Sequence, residues 1–232
     1  MTVMKTAFSG FPPEALRFFR QLKRNNNREW FRAHKEVYET KVKLPMIGLV
    51  QSLGGELNKF APEIVVDPAR NIYRIYRDVR FSADKSPYKI WIAASFNPRG
   101  IPRHAAAGFY FHVSPEEVLI AGGVYMPGPK EILAVRNYIA NHYEKLRRIL
   151  SQKEFKGLFG GLEGERLTRA PKGFPPDHPA IDLLRYKQFL AYVTRPPALA
   201  ETPKLLPTIV QIFRAVMPLV RFLNASFDGI TG

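Results

Sequence analysis

Up to residue 60, apolar side chains recur at the three- and four-residue spacing of amphipathic helices. A first helix is predicted to begin at the proline pair 12–13, because proline suits the first helical turn, and the asparagines at 25–27 end it. Asn27 can cap a second helix that begins at Arg28. Pro45 either kinks that helix or opens a third. The N-terminal region is therefore predicted to be helical.

From residue 71 the apolar period changes to two. Alternation over residues 71–82 predicts a strand, and further strands are predicted at 88–97, 109–114, 118–126 and 188–194, with 166–170 as a short additional candidate. The first four are separated by short segments rich in Pro, Gly and Ser, which is typical of an antiparallel meander. Long helices are predicted from Pro129 to Leu150 and from residue 202 or 203 onward.

These elements indicate the α+β class. We predict a single α+β domain over residues 1–232, with an antiparallel sheet of four or more strands packed with N-terminal, central and C-terminal helices. The most apolar stretch, 205–223, contains Arg214 and Arg221. Since a central arginine is costly in a bilayer, this stretch is predicted to be a core helix, and we expect no membrane association.

Composition adds a strong charge imbalance. The chain has 232 residues with 35 Lys+Arg against 20 Asp+Glu, a formal net charge of +15. Such a charge favours anionic partners. The chain contains no Cys, which excludes disulfides, thiolate nucleophiles and Cys-ligated metals. This composition fits a reducing compartment, so a cytoplasmic location is expected.

Basic residues concentrate between residues 70 and 89, where six Arg and Lys side chains face two Asp. Arg77 falls on the strand face that is otherwise apolar, and a guanidinium there is costly unless it is paired. One interpretation is an ion pair with Asp78, Asp84 or a carboxylate of a helix that pins the sheet. The other is an anion site, because arginine binds phosphate and carboxylate through two oxygens at a time. The candidate ligand residues are Arg74, Arg77, Asp78, Arg80, Ser82, Asp84, Lys85, Tyr88 and Lys89.

The segment 82–89 has two interpretations of its own. Ser82 or Asp84 can form a side-chain-stabilised turn, after which Pro87 forces extended backbone. Alternatively, the loop presents backbone N–H groups, Lys85 and Tyr88 to a ligand oxyanion. A Ser–Lys nucleophile is disfavoured, because no third group is identified that would orient the base.

Two further clusters are candidates. Asn26 and Arg28 belong either to a helix cap beside a core tryptophan or to a ligand-reading surface. The last polar cluster contains Lys172, His178, Tyr186 and Lys187. His178 precedes a proline, which is typical of a cap followed by a first-turn proline. The histidines show no metal-ligand spacing, and neither a dinucleotide fingerprint nor a P-loop is present, so no metal is expected and no cofactor is identified.

Two motifs carry a resemblance to a known family. The segment 26–31 reads NNREWF and the segment 77–89 reads RDVRFSADKSPYK. With these, and with FSGF at 8–11, the chain resembles a widespread family of conserved proteins of unknown function. The resemblance implies an intact soluble domain. It implies no activity, cofactor or catalytic residue.

Three functional hypotheses remain. The first is a pocket for a small anionic ligand that bears phosphate or carboxylate. The second is a nucleic-acid-binding module that uses the positive surface and aromatic side chains. The third is a structural or interaction module without a ligand. The inward-facing position predicted for Arg77 favours the first over the second, while enzyme status and oligomeric state are not determined by the sequence.

Overall fold

The computed structural model describes residues 8–99 and 106–227. Its N-terminal region is helical, as predicted. Helix α1 spans Pro13–Arg24 with proline in its first turn. Helix α2 spans Arg28–Ala33, and the Asn27 side chain accepts a hydrogen bond from Trp30 N at 2.9 Å. The cap that the sequence indicates is therefore confirmed.

A continuous but irregular helical stretch follows. Helix α3 spans Lys35–Val37, a π-helix spans Tyr38–Lys43, and α4 spans Leu44–Leu57. Pro45 lies in the first turn of α4, so it opens a helix. π-Helical turns are rare and often occur at functional sites, so the segment beginning at Tyr38 is a candidate part of such a site.

The strand predicted at 71–82 is not formed. After the short helix α5, Pro68–Asn71, the chain is extended and makes only isolated bridges, Ile72 with Ala94 and Tyr76 with Tyr88. Arg77 N donates to Pro87 O at 2.9 Å and Lys89 N to Ile75 O at 2.8 Å. The segment thus leaves the sheet edge and folds back on itself. Residues 73–89 are called the basic hairpin below.

Four strands form the sheet, in the order β1-β2-β3-β4 with every neighbour antiparallel. The strands are β1 Ile92–Phe96, β2 Gly108–Val113, β3 Val118–Val124 and β4 Phe189–Arg195. This sheet and the surrounding helices confirm the predicted α+β class. The short strand considered at 166–170 is only a single bridge between Arg166 and Tyr186.

The remaining helices flank the sheet. They are α6 Pro129–Ser151, α7 Lys153–Phe159, α8 Ile181–Leu184 and α9 Leu205–Asn224, with 3₁₀ turns at Pro197–Glu201 and Ala225–Phe227. Within the described residues, α9 and the turn after it form the one segment long and apolar enough to cross a membrane. Most of it is buried inside the protein, as in a core helix.

The sheet packs against α9 through one apolar face. The ring of Phe213 stacks on Phe109 with centroids 4.5 Å apart and meets Phe96 at 6.0 Å. A Cβ on Gly122 would lie 2.5 Å from a Val216 methyl, so only glycine allows this approach of helix and strand. The opposite face of the sheet carries Tyr110 and His112, both part-buried.

Candidate functional site

Arg77 is at the centre of a turn formed by the basic hairpin. Its guanidinium donates to the Asp84 carboxylate, to Ser86 O at 3.2 Å and to Ser82 Oγ at 3.4 Å, and its side chain is 24% exposed. Hydrogen bonds from Ser86, and then from Arg77, lower the pKa of Asp84. These partners favour the ion-pair interpretation of Arg77 over the anion site.

The other cations at the apex of the hairpin also have protein partners. Arg80 binds both oxygens of Asp78, at 3.0 and 2.8 Å, and its hydrogen bonds lower the pKa of Asp78 to about 2. Lys85 Nζ donates to Val79 O at 3.0 Å. Lys89 Nζ donates to Arg74 O at 2.7 Å, and burial lowers its pKa. Ser82, Asp84 and these side chains therefore stabilise the hairpin itself.

Asn26 joins the N-terminal helices to the basic hairpin. Its Nδ2 donates to Tyr88 O at 2.9 Å, and its Oδ1 accepts from Tyr88 N at 3.1 Å. The amide thus pairs with a residue of the hairpin as a neighbouring strand would. The NNREWF segment and the RDVRFSADKSPYK segment are brought into contact by this pair, and Asn26 has a structural role.

Aromatic rings strengthen the same junction. The buried ring of Phe31 stacks on Tyr88 at 4.2 Å and lies 5.6 Å from Tyr38 and 6.4 Å from Tyr76. Burial, followed by the nearby Glu39 and Tyr76, raises the pKa of Tyr38. Burial also raises the pKa of Tyr88. Both phenols are therefore hydrogen-bond donors at neutral pH rather than nucleophiles.

A cleft of about 570 Å³ opens between the π-helix and the first part of the basic hairpin. Its lining combines aromatic rings, cations and short apolar side chains, and includes Phe31, Lys35, Tyr38, Ile72, Arg74 and Tyr76. We call it the tyrosine cleft. Of the candidate residues named from the sequence, only Arg74 lines it.

The acidic groups of the tyrosine cleft already have partners. Glu39 pairs with Lys43 at 2.8 Å, and Asp67 accepts a hydrogen bond from Ala69 N at 3.0 Å. Within residues 8–99 and 106–227, the side chains of Lys35 and Arg74 make no ion pair and no hydrogen bond, although the charge of Arg74 contributes to the lowered pKa of Asp78. The cleft therefore has two exposed cations whose charge its own carboxylates do not offset.

Arg28 and Arg32 extend this positive charge along α2. Both are exposed, and both lie near enough to Tyr88 to oppose the rise in its pKa. Neither forms an ion pair with an acid of the described chain. Arg28 is thus beside the candidate site, as a charge near the aromatic junction.

Residues 14–222 match the family model described as "Conserved hypothetical protein (DUF2461)". The chain belongs to this family. No curated protein and no solved structure matches it. The match covers both motifs and the tyrosine cleft, and the family's description names no activity.

The C-terminal cluster is separate from the tyrosine cleft. Tyr186 is buried, donates to Leu162 O at 2.9 Å and is covered by Arg166. Lys187 pairs with Glu165 at 2.9 Å, and His178 Nδ1 accepts from Ala180 N at 3.0 Å. These residues precede β4, whereas the basic hairpin precedes β1 at the other edge of the sheet.

Lys172 is exposed, and no acid pairs with it in the described part of the chain. The predicted helix cap at His178 with Pro179 in the first turn is wrong. His178 Nδ1 accepts from Ala180 N in a turn, and α8 begins only at Ile181, with Ala180 as its N-cap residue and no side-chain cap hydrogen bond. The structure therefore divides the candidates between two places and gives most of the C-terminal ones structural partners.

Sequence reasoning did not select Tyr38 and Tyr76 as site residues. By its spacing Tyr38 falls on the apolar side of the helical pattern, and Tyr76 on the polar face of the alternation over residues 71–82. The helical and strand periods distinguish inside from outside, but they do not show that both residues line one cleft. Lys35 is one of many basic residues in the helical region, and its position in the sequence does not set it apart.

A second polar group on the open face of the sheet was also missed. Tyr110 Oη lies 3.2 Å from His112 Nδ1, and His112 Nε2 lies 3.5 Å from Glu117 Oε1. Ser95, opposite Tyr110 in the register, has a buried hydroxyl that finds no hydrogen-bond partner among the residues the structure describes. The i, i+2 spacing of Tyr110 and His112 was the available signal. Among the described residues, no three His, Asp or Glu side chains form a group that could hold a metal ion.

Proposed function

We propose that the protein binds a small organic anion in the tyrosine cleft. The ligand carries a phosphate or carboxylate that contacts Arg74 and Lys35, and a planar portion that packs among Phe31, Tyr38 and Tyr76. The proposal rests on one observation: Lys35 and Arg74 line an aromatic cleft, and within the described residues neither side chain forms an ion pair. A cytoplasmic location belongs to the proposal, and the absence of Cys supports it.

The chemistry of the lining supports an anionic ligand. Arginine binds phosphate and carboxylate groups through a planar fork of N–H donors, and lysine adds a mobile point charge. The raised pKa of Tyr38 keeps its phenol protonated, so it can donate to an anion. Aromatic rings provide flat apolar surface at little conformational cost.

Isothermal titration with the full chain tests the proposal. Inorganic phosphate, a nucleoside monophosphate and an aromatic carboxylate are titrated into the wild type and into Arg74→Gln. A charge-assisted hydrogen bond contributes about 1.5–3 kcal/mol, so the variant is expected to lose about 10- to 100-fold in affinity. Lys35→Gln is expected to weaken binding in the same direction.

Arg80→Gln is the matched control. It removes the same charge from the same hairpin, but Arg80 pairs with Asp78 outside the cleft. Affinity is expected to stay within about twofold of wild type, because an exposed pair contributes little. If Arg80→Gln weakens binding as much as Arg74→Gln does, the affinity reflects the general positive charge, and this result contradicts binding in the tyrosine cleft. The absence of binding by every probe also contradicts it.

A further inference from the structure

Phe81 stands at the apex of the basic hairpin with 96% of its surface exposed. Among the described residues, no other large apolar side chain is more exposed. An exposed aromatic ring beside cationic side chains is the combination that binds unpaired bases and their phosphates. The apex is therefore a candidate contact surface.

The turn that presents Phe81 is built from specific hydrogen bonds. Arg77 ties Asp84, Ser82 Oγ and Ser86 O together on one side of the apex. Lys85 Nζ closes the other side on Val79 O. Because these hydrogen bonds fix the chain before and after Phe81, an ordered turn holds the ring outward.

The charge around the ring indicates the partner. Residues 74–89 contain five cations and two carboxylates, a local net charge of 5 − 2 = +3 in a chain of +15. The Arg80 guanidinium lies 5.7 Å from the Phe81 ring centroid. The Arg80–Asp78 pair is exposed, so Arg80 can exchange Asp78 for a phosphate at little cost.

The ring and the cations beside it match a strand of nucleic acid, which offers a flat base to Phe81 and phosphates to Arg80 and Lys85. A lipid surface is held in proportion to the apolar area that enters it. At the described apex Phe81 is the one large apolar side chain that is exposed, so the apex fits a base better than a bilayer. Unpaired bases stack on aromatic side chains irrespective of sequence.

We propose that the basic hairpin binds single-stranded nucleic acid, with Phe81 stacked on an unpaired base and Arg80 and Lys85 against phosphates. This inference concerns the outer edge of the hairpin. It does not depend on the small-ligand function of the tyrosine cleft, since Phe81, Arg80 and Lys85 do not line that cleft.

Fluorescence anisotropy with labelled single-stranded oligonucleotides of about 20 nucleotides tests the inference. Phe81→Ala is expected to weaken binding about 5- to 100-fold, the range for loss of one base–aromatic stack, and Phe81→Trp is expected to restore it. Since Phe81 is fully exposed, its replacement leaves the fold intact. Lys85→Gln is expected to reduce the slope of log affinity against log salt by about 1.

Tyr125→Ala is the matched control, since Tyr125 is an exposed aromatic residue outside the hairpin. Its affinity is expected to equal that of the wild type. Equal affinity of Phe81→Ala and wild type overturns the inference, as does equally tight binding of a blunt duplex of the same length. Binding to anionic phospholipid vesicles is measured for the same variants. If Phe81→Ala loses binding to the vesicles but keeps its oligonucleotide affinity, the nucleic-acid inference is overturned in favour of a membrane surface.

Discussion

Replacing Asn26 tests whether a side-chain amide holds the basic hairpin to the N-terminal helices. Asn26→Ala removes both hydrogen bonds to Tyr88. The backbone N–H and C=O of Tyr88, which are part-buried, then lose their amide partner. Hydrogen bonds contribute about 0.5–1.5 kcal/mol each, so the expected loss is about 1–3 kcal/mol. For a chain of this length, each kcal/mol lowers the melting temperature by about 2–4 °C.

Urea denaturation followed by tryptophan fluorescence measures this loss, since Trp30 belongs to the same helix junction. The midpoint is expected to fall at an unchanged slope with denaturant. Asn25→Ala is the matched control. Asn25 is the preceding residue and is exposed, and its side-chain Nδ2 donates to Gln21 O of α1, the helix that it caps. Its replacement is expected to cost less than about 0.5 kcal/mol.

Equal stability of the Asn26→Ala and Asn25→Ala variants would refute the reasoning, because the hairpin would then be held by ring packing alone. A fall in ligand affinity alongside the fall in stability is also expected for Asn26→Ala. The tyrosine cleft lies between the π-helix and the hairpin, so loosening their junction displaces Tyr76 and Arg74.

Two other substitutions probe the sheet. Burial lowers the pKa of His112, although Glu117 opposes the shift, so the unfolded chain binds the proton more readily and stability falls as pH drops below the ordinary histidine value of about 6.5. Between pH 7.5 and 5 the wild type is expected to lose more unfolding free energy than His112→Gln, and equal losses in chemical denaturation contradict this. Gly122→Ala is expected to destabilise by about 1–3 kcal/mol, because its Cβ would meet Val216 at 2.5 Å. Gly157→Ala is the control, because Gly157 lies in helix α7 with open space around it. Thermal unfolding is expected to show that this variant gains about 0.5–1 kcal/mol of stability. A loss of stability at both positions argues against the steric reason.

Much of the architecture was accessible from local pattern. The Asn27 cap, the proline that opens α4, and β2, β3 and α6 all depend on residues close together in the chain. Residues 71–82 show why pattern is insufficient. Alternation does describe their burial, with Ile75 inside and Arg74 and Tyr76 outside, but a strand also needs a neighbour with free N–H and C=O groups along its length. Here the chain leaves the sheet edge after Tyr73 N bonds to Ala93 O.

The candidate site shows the same division. The crowding of basic residues in the hairpin and the need of Arg77 for a partner are readable from the amino-acid order, because local charge and burial follow from composition and period. That Asp84 supplies the partner, and that Lys35, Tyr38 and Arg74 meet at one cleft, follows from the folded chain alone. Side chains from separate segments converge through long-range packing, here the Asn26–Tyr88 pair and the stacked rings of Phe31 and Tyr88, and no local period encodes that distance.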